Sequence, residues 1–205
     1  MRRRPGLCSL LALVTFSCVR PLPPTAAPSP AAVHTIAVLP PNNRTGDPLL
    51  VAGASFFEQY VAHTERVTVP DLLAAEARLQ LTRRGFTVAA PETVEAATCD
   101  QPPADSQQAA AVATRNQIAG SVMYIDLRRW EADAPSHPHF VIASLEVVLI
   151  EPSSGHVLWR VDHPSRPVPT RGVVNLGDAY VIAAHTVIDE MFGGLGPEAQ
   201  GDAPK

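Results

Sequence analysis

Residues 140–161 decide the fold, and they read FVIASLEVVLIEPSSGHVLWRV. Apolar and polar residues alternate through 140–150, which is the period-two pattern of a strand with one buried face. The turn-forming sequence EPSSG at 151–155 separates this strand from a second apolar run at 157–161. An antiparallel β-hairpin is therefore predicted. Its first strand is expected to bury Val141, Ala143, Leu145, Val147 and Leu149 and to expose Ser144 and Glu146.

The second strand of the hairpin carries a tryptophan whose face can be predicted. Trp159 alternates with Val157 and Val161, so all three are expected on one face of the sheet, under a helix. Arg160 is expected on the opposite face, together with His156 and Asp162.

The segments around the hairpin alternate between strand and helix patterns. Pro70 and Asp71 fit the first turn of a helix over 70–84, and Gly85 fits its end. Residues 163–172, with three prolines, predict a loop. The remaining predictions are strands at 33–39, 86–89 and 121–130, a short helical turn at 91–98, and helices at 49–63, 107–116 (capped by Ser106) and 178–192 (capped by Asp178).

The resulting element order is β-α-α-β-α-β-β-β-α. It predicts an α/β fold in a single domain, with a mixed β-sheet of about five strands covered by helices and the antiparallel hairpin at one side. We expect this domain to span residues 33–195, followed by a disordered tail at 196–205.

Composition excludes several classes of protein. The chain has 205 residues, of which 46% are hydrophobic and 18% charged, with a formal net charge of −4. Such a composition belongs to a folded protein rather than a disordered chain. A mildly acidic chain lacks the basic surface that nucleic-acid binding requires, so no nucleic-acid partner is expected.

The N-terminus resembles an export signal. Residues 1–17 combine three arginines with a ten-residue apolar segment, which is typical of a signal peptide and too short to span a membrane. Ser17 precedes Cys18, as in the lipobox of bacterial lipoproteins, so Cys18 is the predicted lipidation site. An ordinary signal-peptidase cut near Ala27 is the alternative.

A lipid on Cys18 would make the membrane a partner of the chain. Residues 18–32 are rich in proline and predict a semi-extended tether between lipid and domain. Val19 stands where an aspartate commonly retains lipoproteins at the inner membrane, so the expected location is the periplasmic face of the outer membrane. Cys99 is then the one thiol left in the folded domain, and it is expected to be incidental.

Four segments, in order, resemble a known group of proteins. They are IAVLPPNNRTGDPLL (36–50), VPDLLAAEARLQLTRRGFTVAAPETV (69–94), QIAGSVMYIDLRRWE (117–131) and SGHVLWR (154–160). They are similar to neisserial-type periplasmic lipoproteins of unknown function. More distantly, they resemble the curli-secretion channel lipoprotein and the lipoprotein activators of peptidoglycan synthases.

The resemblance implies a non-enzymatic binding or assembly component of a Gram-negative cell envelope, with an envelope protein as its partner. It also leaves open a homo-oligomer, such as a ring of the secretion type. It implies no cofactor and no catalytic residues.

Two groups of residues are candidates for contact with a ligand or partner. Asn42, Asn43, Arg44 and Asp47 follow the first strand, where open α/β sheets often bind ligands, although a plain turn is the alternative. The second group, Arg128 and Arg129, adjoins Trp130 at a strand end, where a solvated edge with a buried tryptophan is the alternative.

A weaker candidate is the polar stretch at 131–139. His137 and His139, with Glu131 and Asp133 nearby, are the residue types that bind metal ions. A metal-dependent hydrolase using this loop is therefore the alternative function, whereas a solvated loop without metal is the preferred interpretation.

Overall fold

Helices cover both faces of a mixed β-sheet in the computed structural model, which describes residues 35–51, 67–99 and 101–195. The strands are β1 (Thr35–Val38), β2 (Asn42–Asn43), β3 (Thr87–Val88), β4 (Ser121–Ala132), β5 (Phe140–Glu151) and β6 (His156–Pro169). The helices are α1 (Val69–Arg83), α2 (Pro91–Thr98), α3 (Ser106–Arg115) and α4 (Leu176–Met191), followed by a 3-10 turn at Phe192–Gly194.

The strand order in the described part is β3-β1-β4-β5-β6, and β2 extends the line of β1 alongside β4. Strand β1 pairs in parallel with β3 and with β4, and β2 also pairs in parallel with β4. Strand β5 pairs antiparallel with β4 on one side and with β6 on the other. This arrangement confirms the predicted α/β class, the mixed sheet and the hairpin at one side.

The core has two parts because strand residues alternate between the two faces of the sheet. On the first face, α1 and α4 cover the apolar row of the hairpin that begins at Val141 and ends at Leu149, as predicted. On the second face, α2 and α3 cover a smaller cluster that includes Tyr124 and Val148. Helices α2 and α3 do not cover the part of this second face that lies after Tyr124 on β4 and before Val148 on the neighbouring β5. The side chains there are polar.

Helix α1 is defined by strong local signals. The Thr68 hydroxyl accepts a hydrogen bond from the backbone N–H of Asp71, and the Asp71 carboxylate accepts one from the N–H of Thr68 at 2.8 Å. This capping box, together with Pro70 in the first turn, fixes the start of the helix. Gly85, at φ +85°, ends it.

Two predicted N-cap residues are wrong, the first by one position along the chain and the second by three. Asp105, not Ser106, caps α3, because its carboxylate accepts from the N–H of Gln108 at 2.7 Å. Asn175, not Asp178, caps α4, because its amide oxygen accepts from the N–H of Asp178 at 2.8 Å. In both cases the capping residue lies one position before the helix, and the sequence offers two adequate cap residues within three positions.

The predicted loop at 163–172 is also wrong, since β6 continues through Pro169. A proline cannot donate a backbone hydrogen bond, but an edge strand has one side without a neighbour. Because β6 is the edge of the described sheet, Pro167 and Pro169 still pair with Ile142 and Phe140 of β5. Pro164 lies at a register shift between Ala143 and Leu145, where the pairing is interrupted.

The predicted faces of the second hairpin strand need one correction. The register of β5 and β6 shifts between the pairs Leu149↔Trp159 and Ile150↔Val157, so Leu158 is an extra residue in a β-bulge. Trp159 therefore packs with the α1/α4 core and Val157 with the α2/α3 core. Val161 stays on the Trp159 face.

The predicted helix at 49–63 is contradicted at its start. Leu49 has a positive φ of +48°, and Leu50 forms an antiparallel bridge with Thr68. The rest of this helix lies outside the described residues. So do Cys18, the tether and the tail.

Candidate functional site

The first group of predicted contact residues lies in the loop after β1, where this loop runs alongside β4. Asn42 and Asn43 form β2 and pair with Asp126 and Leu127, and the backbone N–H of Arg44 donates to the Leu127 carbonyl at 2.8 Å. The loop is thereby fixed against β4 at the carboxyl end of the parallel strands.

The centre of this site is the buried carboxylate of Asp126. Its Oδ1 accepts from the Asn42 amide at 3.2 Å, and its Oδ2 lies 3.4 Å from Arg44 Nη1 and 3.1 Å from Arg128 Nε. A buried carboxylate is stable only when charges and donors of this kind compensate its desolvation. Asp126 therefore holds Asn42 and Arg44 of the loop and Arg128 of the sheet in one cluster.

Tyr124 closes the buried side of the cluster. Its hydroxyl donates to the Ala104 carbonyl at 3.0 Å and lies 3.4 Å from Asp126 Oδ1. Burial raises the pKa of Tyr124, and the nearby Asp126 charge acts in the same direction. The phenol therefore stays protonated and serves as a hydrogen-bond donor.

Arg128 extends the cluster across the open part of the sheet. It is the extra residue of a β-bulge between Leu127 and Arg129. Besides Asp126, its guanidinium contacts Glu146 at 2.6 Å and Asp162 at 2.8 Å, and Arg160 contacts Glu146 at 3.2 Å. We call the side chains of Asp126, Arg128, Glu146, Arg160 and Asp162 the ion-pair ladder.

The other predicted contact residues have local roles. The Asn43 side chain accepts hydrogen bonds from Thr45 and donates one to the Asp47 carbonyl at 2.7 Å. Asn43 and Asp47 therefore stabilise the turn itself. Arg129 pairs with Glu131 at 2.7 Å and contacts Ser165 at 3.3 Å, apart from Asp126. Trp130, beside it, is buried in the core, which is the alternative stated for this strand end.

The predicted metal candidates do not converge. The side chain of His139 is largely exposed and lies 3.4 Å from Asp133, whereas His137 is fixed through its backbone N–H to the Val174 carbonyl at 3.1 Å. Among the described residues, no group of three histidine, cysteine, aspartate or glutamate side chains is arranged to hold a metal ion.

Asp133 instead has a structural role in this loop. Partial desolvation raises the pKa of its carboxyl, but the backbone N–H groups of His139 and Phe140 donate to it and lower the pKa overall. The charged carboxylate thereby closes the connection between β4 and β5. Cys99 is exposed at the end of α2.

Sequence reasoning missed Asp126, Tyr124 and Glu146. A signal was present, because Asp126 is the one charged residue in the otherwise apolar run SVMYIDL at 121–127. A lone carboxylate inside a strand with two buried faces must have partners nearby, and the loop at 41–48 is rich in donors.

A second surface feature is an apolar groove at the start of α4. It is open to solvent and is lined by Gly172, Val173, Val174, Asp178, Val181 and Ile182. Val174 is 61% exposed, which is high for a large apolar side chain. Within the described ranges, none of the helices has the length and apolar character needed to cross a membrane.

Comparisons with known proteins give a fold but no family assignment. No protein-family model and no curated protein matches the chain. Among solved structures, a single-substitution variant of the PelC dodecamer from Paraburkholderia phytofirmans is 19% identical, with a TM-score of 0.51. The alignment covers 84% of this chain and 96% of that one.

Two further structures are similar at lower scores. Lipoprotein GNA1162 from Neisseria meningitidis is 18% identical over 79% of this chain and 99% of that one, with a TM-score of 0.46. The C-terminal domain of LpoB from Salmonella enterica is 17% identical over 67% of this chain and 83% of that one, with a TM-score of 0.40. The chain thus shares the fold of PelC, which agrees with the distant similarity to envelope lipoproteins that its sequence indicates.

Proposed function

We propose that this chain is a lipid-anchored protein of the cell envelope that acts by binding and self-assembly rather than by catalysis. The observation that carries the proposal is the fold shared with PelC, which crystallised as a dodecamer, over 96% of the length of that chain. Shared fold alone does not transfer function. The proposal therefore also rests on the export signal and on the chemistry of the site.

The charged side chains of the site form ion pairs with one another within the molecule, and this arrangement supports a role in binding or assembly. Asp126 and Glu146 each contact two guanidinium groups, and Arg128 contacts three carboxylates. Such a ladder fixes a loop and a sheet face rigidly. A rigid polar face is suited to contact with another protein, which we propose to be a second envelope component.

The anchor in this proposal is lipid on Cys18. Several acyl chains hold a protein stably at a membrane, whereas one chain binds it only marginally. The tether at 18–32 then separates the domain from the outer membrane on its periplasmic side. Val19 after the cysteine is the feature that favours the outer over the inner membrane.

Metabolic labelling tests the anchor. Cells expressing the full chain are supplied with radiolabelled palmitate, and their membranes are separated by density. We expect label on the wild type in the outer-membrane fraction and none on Cys18→Ser, with Cys99→Ser as the matched control that keeps the label. A processed, unlabelled wild type in the soluble periplasmic fraction would contradict the proposal.

A further inference from the structure

Strand β6 forms an edge of the sheet with an accessible outer side. It pairs with β5, and within residues 35–51, 67–99 and 101–195 no strand pairs with its other side. Val161 of β6 is only partly buried, whereas Val147, directly across from it on β5, is fully buried. Such an edge offers free backbone N–H and C=O groups, together with apolar side chains that a further strand would cover.

Irregularities in the pairing of β5 and β6 limit the part of the edge that can receive another strand. One register shift lies just before Trp159, and the other lies just after His163. From Pro164 onward, β6 also contains three prolines, which lack the N–H group that a new ladder requires. The regular stretch is therefore 159–163, and Val161 is its centre.

This stretch is complementary to a second copy of itself. In an antiparallel pairing of two β6 strands about a two-fold axis at Val161, Arg160 of each copy lies directly across from Asp162 of the other. The axis is perpendicular to the sheet, so the polar faces of both copies lie on the same side. A two-fold axis at Arg160 or at Asp162 would instead place like charges opposite each other, which destabilises a strand pair.

The two charged side chains keep hydrogen-bonding capacity for this contact. Within the chain, Asp162 contacts Arg128 through Oδ1, and Arg160 contacts Glu146 through Nε. Oδ2 of Asp162 and the terminal nitrogens of Arg160 have no ion-pair partner among the described residues, and the two side chains are 52% and 53% exposed. A pair between copies would therefore extend the ion-pair ladder without breaking it.

We infer that β6 joins copies of this chain in pairs, through antiparallel pairing of stretch 159–163 of one copy with the same stretch of another. The inference rests on the proposed self-assembly and names a contact that produces it. The sheet would continue from β6 of one copy into β6 of the next, with the two Val161 side chains in contact on the apolar face. Because each edge accepts one strand, the assembly should contain an even number of copies.

Exchange of the two charges tests the register. Native mass spectrometry of the full, processed chain in mild detergent should show even copy numbers for the wild type and loss of the pairs for Arg160→Asp and for Asp162→Arg. The pairs should return in the double variant Arg160→Asp/Asp162→Arg, because unlike charges are again opposed. Glu146→Gln is the matched control, since it removes a partner of Arg160 within the chain but should keep the pairs. Circular dichroism verifies that each variant is folded.

Disulfide trapping gives a second readout at the axis. In a chain that carries Cys99→Ser, Val161→Cys should form an oxidised dimer, because opposed residues of antiparallel strands have Cα atoms about 4.5–5.5 Å apart. His156→Cys, on the same strand, is the matched control. In the paired strands its two copies would be separated by about 33 Å, at ~3.3 Å per residue, so it should not cross-link.

Three results would overturn the inference. Pairs that persist in Arg160→Asp, or that fail to return in the double variant, would place the contact elsewhere and leave the proposed self-assembly intact. A cross-link in His156→Cys without one in Val161→Cys would contradict the register. A wild type that stays monomeric would remove both the pairing and the self-assembly.

Discussion

At the scale of single residues, Asp126 connects the loop after β1 to the sheet. Its carboxylate is buried and contacts Asn42, Arg44 and Arg128. Hydrogen bonds to a charged group contribute about 1.5–3 kcal/mol each, and removing a buried partner leaves the others unsatisfied. The position of Arg44 at the surface thus depends on a side chain beneath it.

We predict that Asp126→Asn lowers the free energy of unfolding by about 1.5–3 kcal/mol, because the neutral amide no longer balances two guanidinium groups. Urea denaturation measures the change. Glu131→Gln, which removes an exposed partner of Arg129, is the control and should leave stability nearly unchanged. Equal effects of the two substitutions would contradict the structural role of Asp126.

His163 makes stability depend on pH. It is buried, its Nδ1 lies 3.3 Å from the Ala143 carbonyl, and Arg166 Nε donates to its Nε2 at 3.1 Å. Burial lowers the pKa of His163 below the ordinary 6.5, and the Arg166 charge lowers it further. Glu190, paired with Arg166, is the acidic group on the helix packed above.

A lowered pKa in the folded state means that the unfolded chain binds a proton first as the pH falls. The contribution of His163 is therefore fully present above about pH 6.5 and declines below it. We predict that the free energy of unfolding decreases between pH 7 and pH 5, and that His163→Gln flattens this slope. His156→Gln, at an exposed position, should keep the wild-type slope. Parallel profiles for the wild type and His163→Gln would contradict this account.

At the scale of elements, the two tryptophans of the sheet differ in how deeply they are buried. Trp130 is fully buried, with its ring 6.1 Å from that of Tyr180. Trp159 is half-buried and packs edge-on against Phe192 at 5.9 Å. Arg160, next to it, contacts Glu146 on the open face.

Truncation of the two tryptophans should therefore differ in cost. Trp130→Ala is expected to lower stability by about 3–5 kcal/mol, the range for a fully buried aromatic side chain. Trp159→Ala should cost clearly less than this, and Arg160→Ala least of all. Thermal melts rank the three variants. A midpoint for Arg160→Ala as low as that for Trp159→Ala would mean that the bulge at Leu158 is misplaced.

The caps give a sharper test at the level of one helix. Asp105→Ala removes the acceptor for the N–H of Gln108 and should cost about 1 kcal/mol, the usual contribution of an N-cap. Ser106→Ala should be neutral, because Ser106 is the first helical residue. The two variants can be compared by urea denaturation, and a larger loss for Ser106→Ala would restore the cap predicted from the sequence.

At the scale of the whole molecule, the sequence predicts the class of fold and the buried row from Val141 to Leu149, because alternation and capping are local signals. It does not predict the bulges at Arg128 and Leu158, since one extra residue leaves the composition of a strand unchanged. The β6 extension was missed because prolines disfavour strands except at edges. Asp126 was missed because its loop partners, Asn42 and Arg44, are more than 80 residues away along the chain.

The proposed function has two parts: the tether brings the domain to a membrane, and self-assembly joins copies of it there. Lipidation and self-assembly together predict the mass of the complex that detergent releases from membranes. A processed copy should have lost residues 1–17 and gained acyl chains on Cys18, and several such copies should travel together.

Native mass spectrometry of the full chain, extracted from outer membranes in mild detergent, measures lipid and copy number at once. We predict acylated protomers in assemblies of several copies. Unlipidated monomers cut near Ala27 would contradict the central claim that this protein is a lipid-anchored, self-assembling component of the envelope.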